Sequence, residues 1–297
     1  MIFYFLAPFL ISIALIPFLL YFSKKNNIFD FPEEDILKIH KAPVSIFGGF
    51  AMFLSAFAVF LFLSFWETKF LYIISACLVV FLLGFWDDFN WKHISKRKPY
   101  LKFFFLIFCS LIAGLALYFA GIKFYVFPFL VAPLYIFVLI NAVNYQDGMD
   151  GHAGFLTLIS ILGFSVLGFA SGNSTALAIS LIFSGSILGF LVYNFQPAKI
   201  FMGDSGAYLL GFALALLAII FSKNILSHLL IIGLPLFDGI YSNLRRLLGG
   251  KSIFLGDRGH FYDKMMDKGF SVKKTLLISA TLQIFFVAIG ILAYIYV

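Results

Sequence analysis

The chain has 297 residues, 62% of them hydrophobic and only 12% charged, with a formal net charge of +7. Soluble domains carry roughly 45–50% apolar and about 25% charged residues, so a single water-soluble core is excluded and a polytopic membrane protein is indicated. The basic excess sits between apolar runs, where it reports orientation and attraction to membrane lipids and gives no argument for nucleic acid.

Apolar runs recur at about 1–22, 46–66, 70–86, 101–121, 124–143, 153–171, 174–195, 205–222, 225–241 and 275–296. Each is close to the ~17–25 residues of a spanning helix. The pattern predicts an all-α fold of ten transmembrane helices, in a single integral membrane domain over 1–297. The first run has no basic segment before it and no small-residue cleavage site after it, and is read as a mature helix. Cys77 and Cys109 fall inside spans and read as small packing residues. If the first helix runs inward, eighteen of the twenty-one Lys and Arg lie on inner segments, leaving Lys69, Lys123 and Lys223 outside. The positive-inside rule then puts both termini outside and the long polar loops in the cytoplasm.

Those inner loops carry the chemistry. The first, Asp30 to Lys41, reads as a short helix with Asp30 as cap and Glu33 and Glu34 at its positive end, followed by Lys38, His40 and Lys41. The second opens on Asp87-Asp88, adjacent acids at a helix C-terminus, where they oppose the dipole and each other. Lys102 stands at the mouth of the following span and can face a phosphate. The third, Asn141-Ala-Val-Asn144-Tyr-Gln-Asp147-Gly-Met-Asp150-Gly151, places two carboxamides and two carboxylates after an apolar run, and hydrocarbon does not tolerate such a cluster without partners. The fourth, Phe201-Met-Gly-Asp204-Ser-Gly206, offers Asp204 as a helix cap or as a ligand. Oxygen atoms converging from several loops suit a hard divalent cation such as Mg2+, and the absence of Cys or His pairs at ligand spacing argues against zinc. In the last loop Arg258 and His260 flank a glycine and can grip a diphosphate.

Five motifs in order, Asp87-Asp88, the element at 141–151, Phe201-Met-Gly-Asp204-Ser-Gly206, Pro235-Leu-Phe-Asp238 before Arg245-Arg246, and Asp257-Arg258-Gly-His260, resemble the polyprenyl-phosphate N-acetylhexosamine-1-phosphate transferases, glycosyltransferase family 4, which includes the bacterial translocase I of peptidoglycan synthesis. The resemblance implies transfer of a sugar-1-phosphate from a UDP-N-acetylhexosamine to undecaprenyl phosphate, with release of UMP. It also implies Mg2+, with Mn2+ as a substitute, in a multi-pass protein of the bacterial inner membrane that works at the cytoplasmic face and admits a homodimer. Matched residue by residue, it gives Asp204 and Asn144 to the metal and Asp87, Asp88, Asp147 and Asp150 to catalysis. Lys102, Asn141, Arg258, His260 and Lys38 fall to substrate.

Two departures from the family pattern bear on the donor. Where relatives carry H-x-H-H, this chain has His260-Phe261-Tyr262-Asp263, so Tyr262 and Asp263 are expected to tune the sugar. The lysine and glycine-threonine-proline elements of translocase I near the second span are replaced by Lys41-Ala-Pro43. Both favour a transferase initiating a cell-surface glycan over translocase I. A carrier without chemistry would show midspan charges and broken central helices, whereas these acids gather at one face. A phosphate monoester with a second pKa near ~6 is already largely dianionic at neutral pH, so Asp87 is expected to organise the site more than to remove a proton.

Overall fold

The computed structural model describes residues 1–32, 42–91, 99–122, 128–252 and 258–296. Among them the regular elements are helices: α1 (Ile2–Asn26), α2 (Gly48–Ser64), α3 (Lys69–Trp86), α4 (Pro99–Phe119), α5 (Pro128–Gln146), α6 (His152–Ala170), α7 (Ser174–Asn194), α8 (Gly203–Ile220), α9 (Ile225–Ile232), α10 (Leu234–Leu248), α11 (Phe261–Asp267) and α12 (Val272–Tyr296). One wider π-helical turn, Asp87–Trp91, extends α3.

Seven of these helices are long and apolar enough to cross a membrane, the bent pair α9 and α10 makes an eighth candidate, and α2 and Leu130–Gln146 within α5 are shorter apolar helices. The helix boundaries follow the apolar runs because hydrocarbon leaves no backbone group unpaired. The short helix expected over Asp30–Lys41 lies largely outside the described residues, and so does Lys38.

Helix α8 is the axis of the bundle. Every residue from Ser205 to Ile219 is buried, the pattern of a helix surrounded on all sides. It packs against α2, α3 and α5. Small residues set those approaches: Gly49 meets Gly206, Gly84 meets the backbone of Asp204 and Ser205, and Gly211 meets Ile140. A Cβ on Gly84 would stand 2.6 Å from the Asp204 carbonyl oxygen. The contact puts Asp87, three residues further along α3, beside the first turn of α8. The loop entering α8 is pinned as well, since Gly48 and Gly49 N–H donate to the carbonyls of Phe201 and Met202 at 2.9 Å each.

The apolar run at 225–241 is not one straight helix. It breaks at Gly233, where α9 and α10 meet at 83°. Gly233 takes a left-handed backbone, φ 57°, and Pro235 in the first turn of α10 has no N–H to continue the preceding helix. Gln283 of α12, fully buried, occupies the break. Its Oε1 accepts from Leu234 N–H at 2.8 Å, and its Nε2 donates to the Ile231 carbonyl at 2.9 Å and to Ser160 Oγ at 2.8 Å. A buried amide left unpaired there would cost about 1–3 kcal/mol. Past the bend, α10 exposes Phe237, Ile240, Tyr241, Leu244, Leu247 and Leu248 while burying Asp238, Ser242 and Arg246.

Candidate active site

The two neighbouring acids at the end of α3 point to different partners. Asp88 accepts from the N–H of Asp204 at 2.7 Å on one oxygen and from the N–H of Ser205 at 3.1 Å on the other. It therefore caps α8 from a distant part of the chain, placing a carboxylate at the positive end of that helix. Gly203, φ 66°, faces the same carboxylate closely, with space for no side chain. Asp87, buried, accepts from Tyr208 Oη at 2.6 Å and pairs with Lys102 Nζ at 2.6 Å. The wide turn at Asp87–Trp91 carries α3 into this arrangement.

With its own helix capped by Asp88, Asp204 has its side chain free for other contacts. Its Oδ2 lies 3.3 Å from Lys102 Nζ, and its Oδ1 accepts from Asn144 Nδ2 at 2.6 Å. Four helix ends thus meet through Asp87, Asp204, Lys102 and Asn144. Asp147 sits beside them. Burial pushes its carboxyl well above the usual carboxylate range, and the charges of Asp204, Asp88, Asp30 and Asp150 push in the same direction. Asp150 ties this loop down by accepting from Ala198 N–H at 3.0 Å. Asn141, one turn earlier on α5, gives its amide to the Phe137 carbonyl at 2.8 Å.

A second cluster holds the last loop. Asp238 accepts from Gln146 Nε2 at 2.8 Å, from Phe261 N–H at 2.8 Å and from His260 Nδ1 at 2.9 Å. Arg258 Nε lies 3.6 Å from Asp263 Oδ1, and the other oxygen of Asp263 accepts from His260 N–H at 3.3 Å. Burial raises the Asp263 carboxyl above its ordinary range. Tyr262 is buried against His152, His260 and Gly148. The two residues expected to tune the sugar are therefore committed to holding the loop, with neither side chain exposed. The clusters are joined by the last turn of α5, where Asn144 reaches Asp204, Tyr145 stacks on His260 at 5.2 Å, and Gln146 reaches Asp238.

Sequence reasoning gave no role to Tyr208, Gln146, Gln283 or His152, whose ring nitrogens bridge the Gln146 carbonyl and Ser279 Oγ. The available signal was a polar side chain inside or at the end of an apolar run.

Chemically, two acids, Asp87 and Asp204, converge on the ammonium group of Lys102, with Asp88 on the backbone of Asp204 and Ser205 and Asp147 electrostatically coupled to Asp204 and Asp88. Among the described residues no three His, Cys, Asp or Glu side chains form a closed metal cage. Mg2+ held together with substrate phosphates needs only one or two protein carboxylates. Asp87 and Asp204 fit that need, because each already aims an oxygen at the same ammonium group.

Residues 70–222 match glycosyl transferase family 4, and the chain belongs to that family. It is 30% identical over 262 residues to the "Probable undecaprenyl-phosphate N-acetylglucosaminyl 1-phosphate transferase" of Bacillus subtilis, an alignment covering 81% of this chain and 71% of that protein. It is 28% identical over 312 residues to the phospho-N-acetylmuramoyl-pentapeptide-transferase of Streptococcus pneumoniae (serotype 2), covering 97% and 94%. The Streptococcus mutans enzyme of the same name is 32% identical, covering 76% and 73%.

Proposed function

We propose that the protein transfers an N-acetylhexosamine-1-phosphate from a UDP-sugar to undecaprenyl phosphate, forming a lipid-diphosphate-sugar and UMP. The observation that carries this reading is the Asp87–Lys102–Asp204 cluster at one end of a membrane-spanning bundle, in a chain of this family. An oxygen of the lipid phosphate attacks the β-phosphorus of the donor, the bond from that phosphorus to the bridging oxygen breaks, and UMP leaves with the bridging oxygen. The obstacle is repulsion between two anions. In this reading Lys102 neutralises the acceptor phosphate, Arg258 and His260 the donor diphosphate, and Asp147 and Asp150 belong to the same substrate site. Mg2+, with Asp204, Asp87 and Asn144 as its protein neighbours, would supply further positive charge.

In this reading α2 and α5 complete ten spans with α1, α3, α4, α6, α7, α8, α12 and the bent α9–α10. The Lys and Arg distribution orients the cluster toward the cytoplasm of a bacterial inner membrane. Translocase I activity is the second reading, favoured by the length of the alignment to the pneumococcal enzyme. Purified protein given undecaprenyl phosphate and a panel of UDP-sugars separates the two. UMP with a lipid-diphosphate-N-acetylhexosamine is expected, whereas turnover of UDP-MurNAc-pentapeptide alone supports translocase I. Release of UDP contradicts both.

A further inference from the structure

The carboxylate of Asp238, on α10, has no assigned role in turnover, yet it accepts more hydrogen bonds from and around the last loop than any other described side chain there. Its Oδ1 takes the Phe261 N–H, and its Oδ2 takes Gln146 Nε2 and faces His260 Nδ1 at 2.9 Å. A carboxylate accepts hydrogen bonds, and the 2.9 Å approach suits a proton carried on His260 Nδ1. Ser242 Oγ lies 3.1 Å from the same nitrogen. Stacking on Tyr145 and Tyr262 fixes the ring plane. Both nitrogens cannot turn to the site, and Nδ1 is the one that faces Asp238 and Ser242.

We propose that Asp238 is a positioning residue that holds His260 with Nδ1 protonated and turned inward, so that Nε2 is the ring atom offered to the anionic donor. The hydrogen bond at one ring nitrogen decides what the other can do. Asp238→Asn is the informative change, because Phe261 N–H keeps the remaining oxygen and the new amide points an N–H at Nδ1. His260 then has to accept at Nδ1 and carry its proton on Nε2. The role of Nε2 in turnover rests on the transferase reading; the proton position does not.

Nitrogen-15 NMR of histidine-labelled protein in nanodiscs, above the pH at which imidazole charges, reads the proton directly, with His260→Gln assigning the signal among five histidines. The expected result is Nδ1–H in the wild type and Nε2–H in Asp238→Asn. An unchanged tautomer in Asp238→Asn overturns the proposal. Kinetics supply the second readout. Asp238→Asn should lower kcat/KM for the UDP-sugar by about tenfold or more, and should have no further effect in a His260→Ala background. Penalties that multiply across the two sites would make Asp238 a structural tie only. If Asp238→Asn does not fold, Gln146→Met, which removes only the amide steadying the carboxylate, should show the same dependence on His260; an equal loss in both backgrounds overturns the proposal. A wild type inactive on every UDP-sugar would sink the transferase reading and leave the tautomer result standing.

Discussion

The backbone N–H of Asp204 donates to the Asp88 carboxylate at 2.7 Å across a separation of 116 residues. This contact joins the end of α3 to the start of α8 and leaves the Asp204 side chain facing Lys102 and Asn144. Asp88→Ala strands two N–H groups at the head of a buried helix and should cost about 1–3 kcal/mol, along with turnover. Asp88→Asn, which keeps an acceptor, should lose less stability. Thermal unfolding of the purified variants checks the ranking; equal melting of Asp88→Ala and wild type would remove the cap from the account.

Asp204→Ala should behave differently. Its carboxylate makes no bond to its own helix terminus, so melting should stay closer to wild type than in Asp88→Ala, while turnover disappears. A cation that binds only the folded protein raises its melting temperature. Mg2+ or Mn2+ should therefore stabilise the wild type and leave Asp204→Ala unmoved. A cation-induced shift of wild-type size in the variant assigns the metal elsewhere.

Asp147 gives a pH signature. Burial and neighbouring acids raise its carboxyl in the folded protein, so from the ordinary carboxylate range up to that raised value the folded state binds more protons than the unfolded chain. Stability without divalent cation should fall as pH rises through this window. Asp147→Asn should flatten that slope and melt higher than wild type at neutral pH, at the expense of turnover. A variant with the wild-type slope would show that Asp147 titrates normally.

Much of the fold was legible in the sequence because each apolar run must close its own backbone hydrogen bonds. The site was legible as a set of acids and amides at one end. What those acids do was not, since the split between Asp87 and Asp88 depends on Gly84 letting α3 approach α8. The break at Gly233 was visible in the Gly-Leu-Pro sequence but was masked by the unbroken hydrophobicity around it. Gln283, the side chain that satisfies the break, lies fifty residues beyond Gly233 in another apolar run. The expectation that Tyr262 and Asp263 tune the sugar used only their position in a motif, which does not reveal that both side chains are buried.

Gln283→Leu tests the break. Losing the amide frees buried carbonyls and the Leu234 N–H, and stability should fall by about 1–3 kcal/mol. Because α10 carries Asp238, the KM for donor should rise more than kcat falls. A Gln283→Leu protein with wild-type melting and wild-type KM would show that the bend holds without this side chain.

The most direct test of sugar-1-phosphate transfer follows the phosphorus. UDP-N-acetylglucosamine labelled at its β-phosphate is incubated with undecaprenyl phosphate, Mg2+ and purified protein, and the label is partitioned between lipid and aqueous phases. Label is expected in the lipid with unlabelled UMP in water, and that transfer is expected to be lost in Asp204→Ala. Label remaining on UDP while sugar enters the lipid would contradict sugar-1-phosphate transfer.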